Sequence, residues 1–208
     1  VRIAERSTSL SKRALDIGAD GIIVPWMEKV EEVEEAVRDC RYPPEGRRGI
    51  GGERATVWGQ CLNEHANEAN ENVLVIPLIE SINAVPNVAN MCKVDGIDLF
   101  FFGPADFSAS AGYRGQWEGP GVAEQILELK DIINAAGKHC GVMSTSVQNL
   151  TERRDQGFRM LALGPDSGLL MRSMHQSLQA VDCDRLPATS LDPTDGKPVS
   201  KSDTKIKK

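Results

Sequence analysis

The stretch from Val73 to Gly112 constrains the fold of this chain more than any other part of it. It contains two short apolar runs, Val73–Ile79 and Leu99–Phe102, which are rich in branched or aromatic residues and show no polar alternation. Such runs are typical of strands buried on both faces, as in a parallel sheet. The residues between them predict a helix, because apolar side chains recur there at steps of three and four. These side chains are Ile82, Val85, Ala89 and Cys92.

A carboxylate follows each of the two predicted strands. Glu80 comes directly after the first run, and Asp106 follows the second run by four residues. The C-terminal ends of parallel strands share one edge of a sheet, and in (β/α)8 barrels that edge carries the chemistry. Two carboxylates that converge there suit a hard cation such as Mg²⁺, which takes oxygen ligands. By spacing alone, capping of the following helices is the commoner reason for an acid at either position.

Apolar segments recur along the chain and alternate with helical patterns, which predicts an α/β fold with a parallel sheet. The predicted strands are the Val1–Ile3 end, Gly21–Val24, Val73–Ile79, Leu99–Phe102, Cys140–Met143 and Met160–Leu163. The other predicted helices cover Ser9–Asp16, the stripe of Val30, Val33 and Val37, Asn63–Asn72, the stripe of Ile126, Leu129, Ile133 and Ala136, Thr151–Gln156, and the stripe of Leu170, Met174, Leu178 and Val181 after an N-cap at Asp166.

Composition excludes several classes of protein. The 24 basic and 30 acidic residues give a net charge of −6 without a basic stripe, so nucleic acid is not an expected partner. No apolar run approaches the length of a membrane span. The five cysteines form no CxxC pair, which predicts reduced thiols in a cytoplasmic protein. Residues 182–208 are polar and are predicted to form a disordered tail.

Two segments carry a resemblance to a known family. They read IES, at residues 79–81, and GIDLFFFGPADFSASAG, at residues 96–112. They resemble the class II, metal-dependent pyruvate aldolases of the 2,4-dihydroxyhept-2-ene-1,7-dioate and 2-dehydro-3-deoxyglucarate aldolase type, which are related to the citrate lyase β subunit. That family has an I-E-[ST] strand end and a D-G-x-x-x-G-P-A-D-L-S segment. The resemblance extends over about residues 1–180 and implies a (β/α)8 TIM barrel.

The resemblance implies an incomplete barrel. A (β/α)8 barrel typically needs about 250 residues, whereas this chain has 208. The six predicted strands look like barrel strands three to eight, so we expect residues 1–181 to form a partial barrel domain. The family's second strand carries a D-x-E-H segment whose histidine organises proton transfer, and none of the chain's three histidines matches it. His65 is interpreted as a surface residue. The chain by itself is therefore expected to be inactive and poorly stable.

The resemblance also implies which residues form the site. Glu80 and Asp106 match the family's metal-binding acids, so we expect them to hold a divalent ion, Mg²⁺, Mn²⁺ or Co²⁺. Gly103, Pro104 and Ala105 belong to the matching GPAD segment and are expected to bind substrate. The backbone amides around Ala105 and Asp106 would hold the pyruvate carboxylate.

Further roles are implied for Arg2, Met143 and a loop. Arg2 matches an arginine that contacts the pyruvate carbonyl oxygen and would stabilise an enolate, the alternative being a frayed terminal residue. Met143 matches an apolar residue of the pyruvate methyl pocket, the alternative being a core methionine. The loop matching the family's YPPxGxRG segment carries Arg47, Arg48 and Arg54, which could bind a carboxylate on the aldehyde or form ion pairs.

The sequence thus predicts a metal-dependent aldolase that cleaves 4-hydroxy-2-oxo acids to pyruvate and an aldehyde. The resemblance suggests a homo-oligomer, with a hexamer as the family's form. Two alternatives remain open. One is an acyl-CoA lyase similar to citrate lyase, and the other is a non-catalytic relative that keeps the fold for assembly or binding.

Overall fold

The sheet is built from five parallel strands that lie side by side in chain order, as a computed structural model describes them for residues 1–182. The strands are β1 (Gly21–Val24), β2 (Leu74–Ile79), β3 (Leu99–Phe102), β4 (His139–Met143) and β5 (Met160–Ala162). Each pair of neighbours is joined by a segment that contains at least one helix. The result is an α/β fold with a curled parallel sheet, as in part of a TIM-type barrel, and it confirms the predicted fold class at this level.

Eight α-helices and two short 3-10 helices surround the sheet within residues 1–182. The α-helices are α1 (Thr8–Asp16), α2 (Val30–Cys40), α3 (Leu62–Asn72), α4 (Val88–Met91), α5 (Pro104–Ser110), α6 (Val122–Ala135), α7 (Val147–Asp155) and α8 (Asp166–Gln179). The 3-10 helices cover Arg54–Thr56 and Ile82–Asn87. In the described part of the chain, every helix is too short or too polar to cross a lipid bilayer.

The sixth predicted strand, Val1–Ile3, is not a regular strand. Its pairing with β1 is limited to one parallel bridge, between Arg2 and Ile23. The Ile23 amide donates to the Val1 carbonyl at 2.8 Å, and the Ile3 amide donates to the Ile23 carbonyl at 3.1 Å. These two bonds hold Arg2 beside the sheet. Residues 1–3 therefore lie next to β1, as predicted, but they do not form a strand.

The predicted helix between β2 and β3 is correct only in part, since its first half is not α-helical and two of its four predicted core residues, Ile82 and Ala89, are exposed. A 3-10 helix over Ile82–Asn87 precedes the short α4, and Pro86, which lacks an amide hydrogen, lies inside it. The buried side chains are Ala84, Val88, Met91 and Cys92, whereas Ile82 is 41% exposed. A tightened first turn changes which residues share a face, and the steps of three and four assumed a regular α-helix.

Consecutive side chains of the central strands pack on opposite faces of the sheet, and both faces are covered. In β3, Phe100 and Phe102 pack into the core formed with the helices, while Phe101 lies on the other face with Ile76 and Leu78. All of residues 75–80 are buried. Burial on both faces explains why these runs show no polar alternation.

The last helix differs from its prediction. Pro165 occupies the N-cap position and Asp166 is the first helical residue, so the predicted N-cap was displaced by one position. No side chain of α8 is buried among the described residues, and Leu170 and Met174 of the predicted apolar stripe are exposed. The predicted disordered tail lies outside the described residues from position 183 onward.

Close strand packing at Gly141 leads to a stability prediction. A Cβ at this position of β4 would lie 2.6 Å from Phe101 Cδ2 and 2.9 Å from Met160 Cβ. We expect Gly141→Ala to lower the free energy of unfolding by about 1–3 kcal/mol, because both neighbouring strands would have to shift. Urea denaturation measures the effect. Gly52→Ala is the matched control, since its Cβ would meet only ordinary contacts at 3.7 Å or more, and equal stability of the two variants would contradict the prediction.

Candidate active site

Glu80 lies at the C-terminal end of β2 and is held from two sides. Its side chain is only 4% exposed, and its Oε1 accepts a hydrogen bond from the Trp26 amide at 2.9 Å. On the other side, a Cβ at position 103 would lie 3.0 Å from both Cβ and Oε2 of Glu80. The glycine at 103 therefore favours close approach of the end of β3 to the carboxylate, and its φ angle lies outside the left-handed region.

Asp106 reaches the same place from the end of β3. The Gly103 amide donates to the Ile79 carbonyl at 3.1 Å, which ties the ends of β2 and β3 together. Pro104 then begins α5, where its missing amide hydrogen costs nothing. Asp106 follows in the first turn of α5 and is exposed. The GPAD segment thus places an acid beside Glu80.

The pKa of Glu80 is raised above its ordinary value. Burial of the carboxyl group is the largest cause, and the negative charge of Asp106 and a hydrogen bond with its side chain raise this pKa further. The Trp26 amide and the positive charge of Arg2 act in the opposite direction. Burial and the neighbouring charge of Asp106 thus disfavour the charged form of Glu80, and a cation bound between the two carboxyl groups would offset this cost.

Arg2, Glu80 and Asp106 line one open cavity of about 590 Å³ at the C-terminal edge of the sheet. The exposed side chain of Trp26 also lines it. The remaining lining residues are Ala4, Glu5, Arg6, Pro25 and Glu35. A guanidinium and two carboxylates in one cavity could bind an oxyanion next to a cation, which is what a 2-oxo acid requires.

The donor set fits a hard divalent ion that shares its coordination with small molecules. Within residues 1–182, no group of three or more His, Cys, Asp or Glu side chains is arranged to hold a metal. The candidate ligands are therefore the two carboxylates alone. Mg²⁺ is commonly bound by one or two carboxylates and keeps its other positions for water or substrate oxygens.

The other predicted site residues, Gly103, Pro104, Ala105 and Met143, are not among the residues that line the cavity. Ala105 is exposed in the first turn of α5, next to Asp106, and Pro104 is buried below it. Met143 ends β4, is half-buried and is not part of the cavity lining. Trp26 was not predicted to belong to the site, and the sequence pattern indicated only that β1 ends at Pro25. No local pattern indicates that the amide of Trp26 reaches a carboxylate 54 residues away along the chain.

The three arginines of the loop after α2 lie outside the cavity, and the ion-pair alternative is correct for two of them. Arg47 pairs with Asp39. Arg48 is 2% exposed and pairs with Asp16 at 3.0 Å. Breaking a buried pair typically costs about 3–5 kcal/mol, so Arg48 is fixed in place. The Nη1 atom of Arg54 donates to a backbone carbonyl, that of Ile17, at 3.3 Å.

His65 is not the surface residue that was predicted. It is half-buried in α3, and its ring packs edge-on against Tyr42 with the centroids 6.0 Å apart. Burial, followed by the positive charge of Arg48, lowers the pKa of His65. Among the described residues 1–182, no histidine lines the cavity.

Comparison with known proteins assigns the chain to a family. The HpcH/HpaI aldolase/citrate lyase family matches residues 1–173, and the chain belongs to this family. A 4-hydroxy-2-oxovalerate aldolase of Rhodococcus jostii is 39% identical over 173 residues, and a hydroxypyruvate/pyruvate aldolase of Roseobacter denitrificans is 36% identical over 175 residues. Each alignment covers 83% of this chain, and 66% and 68% of the respective relative. The chain thus spans about two thirds of the length of these relatives.

A solved structure agrees with this assignment. An HpcH/HpaI aldolase/citrate lyase family protein from Burkholderia cenocepacia superimposes with a TM-score of 0.81 at 33% identity, over 88% of this chain and 72% of that protein. The fold and the family are therefore established by sequence and structure together.

The raised pKa of Glu80 leads to a prediction about the metal-free protein. Glu80→Gln keeps an acceptor for the Trp26 amide and removes the buried charge, so we expect it to raise the free energy of unfolding at neutral pH in EDTA. A raised pKa means that the folded protein binds the proton more tightly than the unfolded chain does. The contribution of Glu80 to the free energy of unfolding of the wild type is thus lost as pH rises above about 4.5, the ordinary carboxyl value. Below that pH, Glu80→Gln should no longer be more stable than the wild type.

Urea denaturation between pH 4 and pH 7.5 checks this expectation. Glu128→Gln, on the exposed face of α6, is the control and should change little. An equal or lower stability of Glu80→Gln at neutral pH would show that the carboxylate is better solvated than its burial implies.

Proposed function

We propose that the protein is a divalent-metal-dependent aldolase that cleaves 4-hydroxy-2-oxo acids to pyruvate and an aldehyde. The observation that carries the proposal is the placement of Glu80 and Asp106 at the ends of adjacent strands, with Arg2 in the same cavity. Membership of a family whose relatives are named as aldolases supports it. The site residues, metal and substrates are all parts of this proposal.

In the proposed reaction, the bond between C3 and C4 of the substrate breaks. The 4-hydroxyl group loses a proton and becomes the aldehyde carbonyl, and the electron pair of the broken bond passes into the enolate of pyruvate. C3 then gains a proton. A divalent ion held by Glu80 and Asp106 would supply Lewis-acid polarisation of the 2-oxo group.

The chain's own residues would bind and orient the substrate. The Arg2 guanidinium would bind the 2-oxo oxygen and stabilise the negative charge that develops there. The backbone amides of Ala105 and Asp106 would hold the carboxylate of the substrate. The resemblance assigns Met143 to the pocket for the methyl group of pyruvate, although Met143 lies outside the cavity lining. Because Gly103 has no side chain, the carboxylate of Glu80 can lie close to the end of β3.

The strand numbering and assembly belong to the same proposal. We assign Val1–Ile3 and β1 to β5 to strands three to eight of a (β/α)8 barrel. The parallel order of neighbours along the chain supports this assignment. A homo-oligomer is the assembly that the resemblance suggests.

An acyl-CoA lyase similar to citrate lyase is the second candidate, because the family description includes citrate lyase. Binding of CoA phosphates requires several unpaired cations. The cations of the cavity are Arg2 and Arg6, and Arg6 pairs with Glu32 at 3.0 Å. The charge of the cavity therefore favours the pyruvate aldolase.

The metal site is tested by titration of Mn²⁺ into the intact protein. We expect binding to the wild type, and at least tenfold weaker binding to Glu80→Gln, because one of two charged ligands is replaced by a neutral one. Glu128→Gln should bind as the wild type does. Equal affinity of Glu80→Gln and the wild type in isothermal titration calorimetry would exclude Glu80 as a ligand.

The activity is tested with a full-length version of the protein, since the chain by itself is expected to be inactive, in a coupled assay of pyruvate release from 4-hydroxy-2-oxopentanoate. We expect release that stops on addition of EDTA and resumes with excess Mn²⁺, because the carbonyl cannot be polarised without the ion. Release that survives chelation but stops after borohydride treatment would instead indicate a Schiff-base lysine. No release in either condition would favour the non-catalytic alternative.

A further inference from the structure

Trp26 has a backbone conformation that its side chain disfavours. Its φ angle is +58°, in the left-handed region that glycine or asparagine normally occupies. A bulky residue in this region is strained, and such strain persists only where the surroundings fix the backbone. Outliers of this kind cluster at binding and active sites.

The neighbours of Trp26 supply that fixation. Pro25 and Met27 are both buried, and the Met27 amide donates to the Leu78 carbonyl at 3.2 Å. The carbonyl of Glu28 accepts a hydrogen bond from Asn87 Nδ2 at 2.7 Å. On the C-terminal side of Trp26, these hydrogen bonds hold the backbone against β2 and the 3-10 helix that follows it. On the N-terminal side, the backbone is held by β1.

The strained conformation directs two groups of one residue toward the candidate site. The Trp26 amide bonds to Glu80, and the indole lines the cavity that contains Glu80, Asp106 and Arg2. The side chain is 46% exposed, although both flanking residues are buried. The indole is the largest apolar side chain among the residues that line the cavity, the others being Ala4 and Pro25.

The charges around the indole disfavour an anionic substituent on the substrate. Four acids and two arginines line the cavity, namely Glu5, Glu35, Glu80, Asp106, Arg2 and Arg6. Arg6 pairs with Glu32, and the proposed function uses Arg2 for the 2-oxo oxygen. Since Arg47, Arg48 and Arg54 lie elsewhere, no unpaired arginine of the lining remains for a second carboxylate.

We propose that Trp26 determines which aldehyde the enzyme accepts, by packing its indole against the aldehyde's substituent. The substrate class is neutral aldehydes with an apolar substituent, which are preferred over aldehydes that carry a carboxylate. This inference rests on the proposed aldolase function. It adds a specificity-determining residue and a substrate class to it.

The test uses the full-length version of the protein and compares two substrates that differ in one group. 4-Hydroxy-2-oxoheptanoate carries a terminal methyl group where 4-hydroxy-2-oxoheptanedioate carries a carboxylate. Trp26→Gly removes the indole while keeping the amide and accepting the left-handed backbone. Trp26→Phe keeps an aromatic surface. Trp58→Gly is the matched control, because Trp58 has a φ of +56°, is 69% exposed and does not line the cavity.

We expect the wild type to have the higher kcat/KM for the heptanoate. In Trp26→Gly, the ratio of the two kcat/KM values should fall by about tenfold, a typical effect of a lost apolar contact on specificity. Trp26→Phe should lose less of the ratio, and Trp58→Gly should keep it. If Trp26→Gly does not unfold cooperatively, Trp26→Asn, which also accepts the left-handed region, replaces it in the same comparison.

Other outcomes separate this inference from the proposed function. Equal losses of kcat/KM on both substrates, or a wild type that prefers the heptanedioate, would overturn the inference while leaving the aldolase activity intact. The same change of ratio in Trp58→Gly would overturn it as well. A wild type that releases no pyruvate from either substrate would contradict the proposed function and this inference together.

Discussion

Burial of the Glu80 carboxyl group next to Asp106 sets conditions that the surrounding elements must meet. A buried carboxyl group requires hydrogen-bond donors, and the amide of Trp26 provides one at the cost of a left-handed backbone. The position opposite is occupied by glycine, and a Cβ at 103 would crowd the carboxylate at 3.0 Å. The carboxyl group of Glu80 therefore constrains the backbone of three segments, namely the turn after β1, the end of β2 and the start of α5.

Cations with different surroundings have different roles in this molecule. Arg48 is buried, pairs with Asp16 and lies 4.5 Å above the Tyr42 ring, so it fastens the loop after α2 to α1. Arg2 is exposed in the cavity, and its charge acts on Glu80. An exposed arginine that lines a cavity can thus be distinguished from one held in a buried ion pair by its burial and partners, although both look alike in the sequence.

The sheet was predictable from the sequence because its signals are local. Apolar runs without alternation marked β1 to β4 to within one residue at each end, and they did so because both faces of these strands are buried. Pro104 and Asp106 likewise mark the first turn of α5 by the chemistry of helix starts. In the helix after β2, the predicted core residues Ile82 and Ala89 are exposed, since Pro86 favoured a 3-10 turn that spacing alone does not indicate.

The sequence by itself determined the parallel α/β architecture, the family and the two carboxylates at strand ends, because each depends on residues that are neighbours along the chain. Only the tertiary structure decided that Trp26 supports Glu80, that Arg47 and Arg48 are held in ion pairs, and that His65 packs on Tyr42. Most of these contacts join residues that are distant in the chain. They depend on where parallel strands and their helices bring those residues together, and no local pattern of residue types encodes that placement.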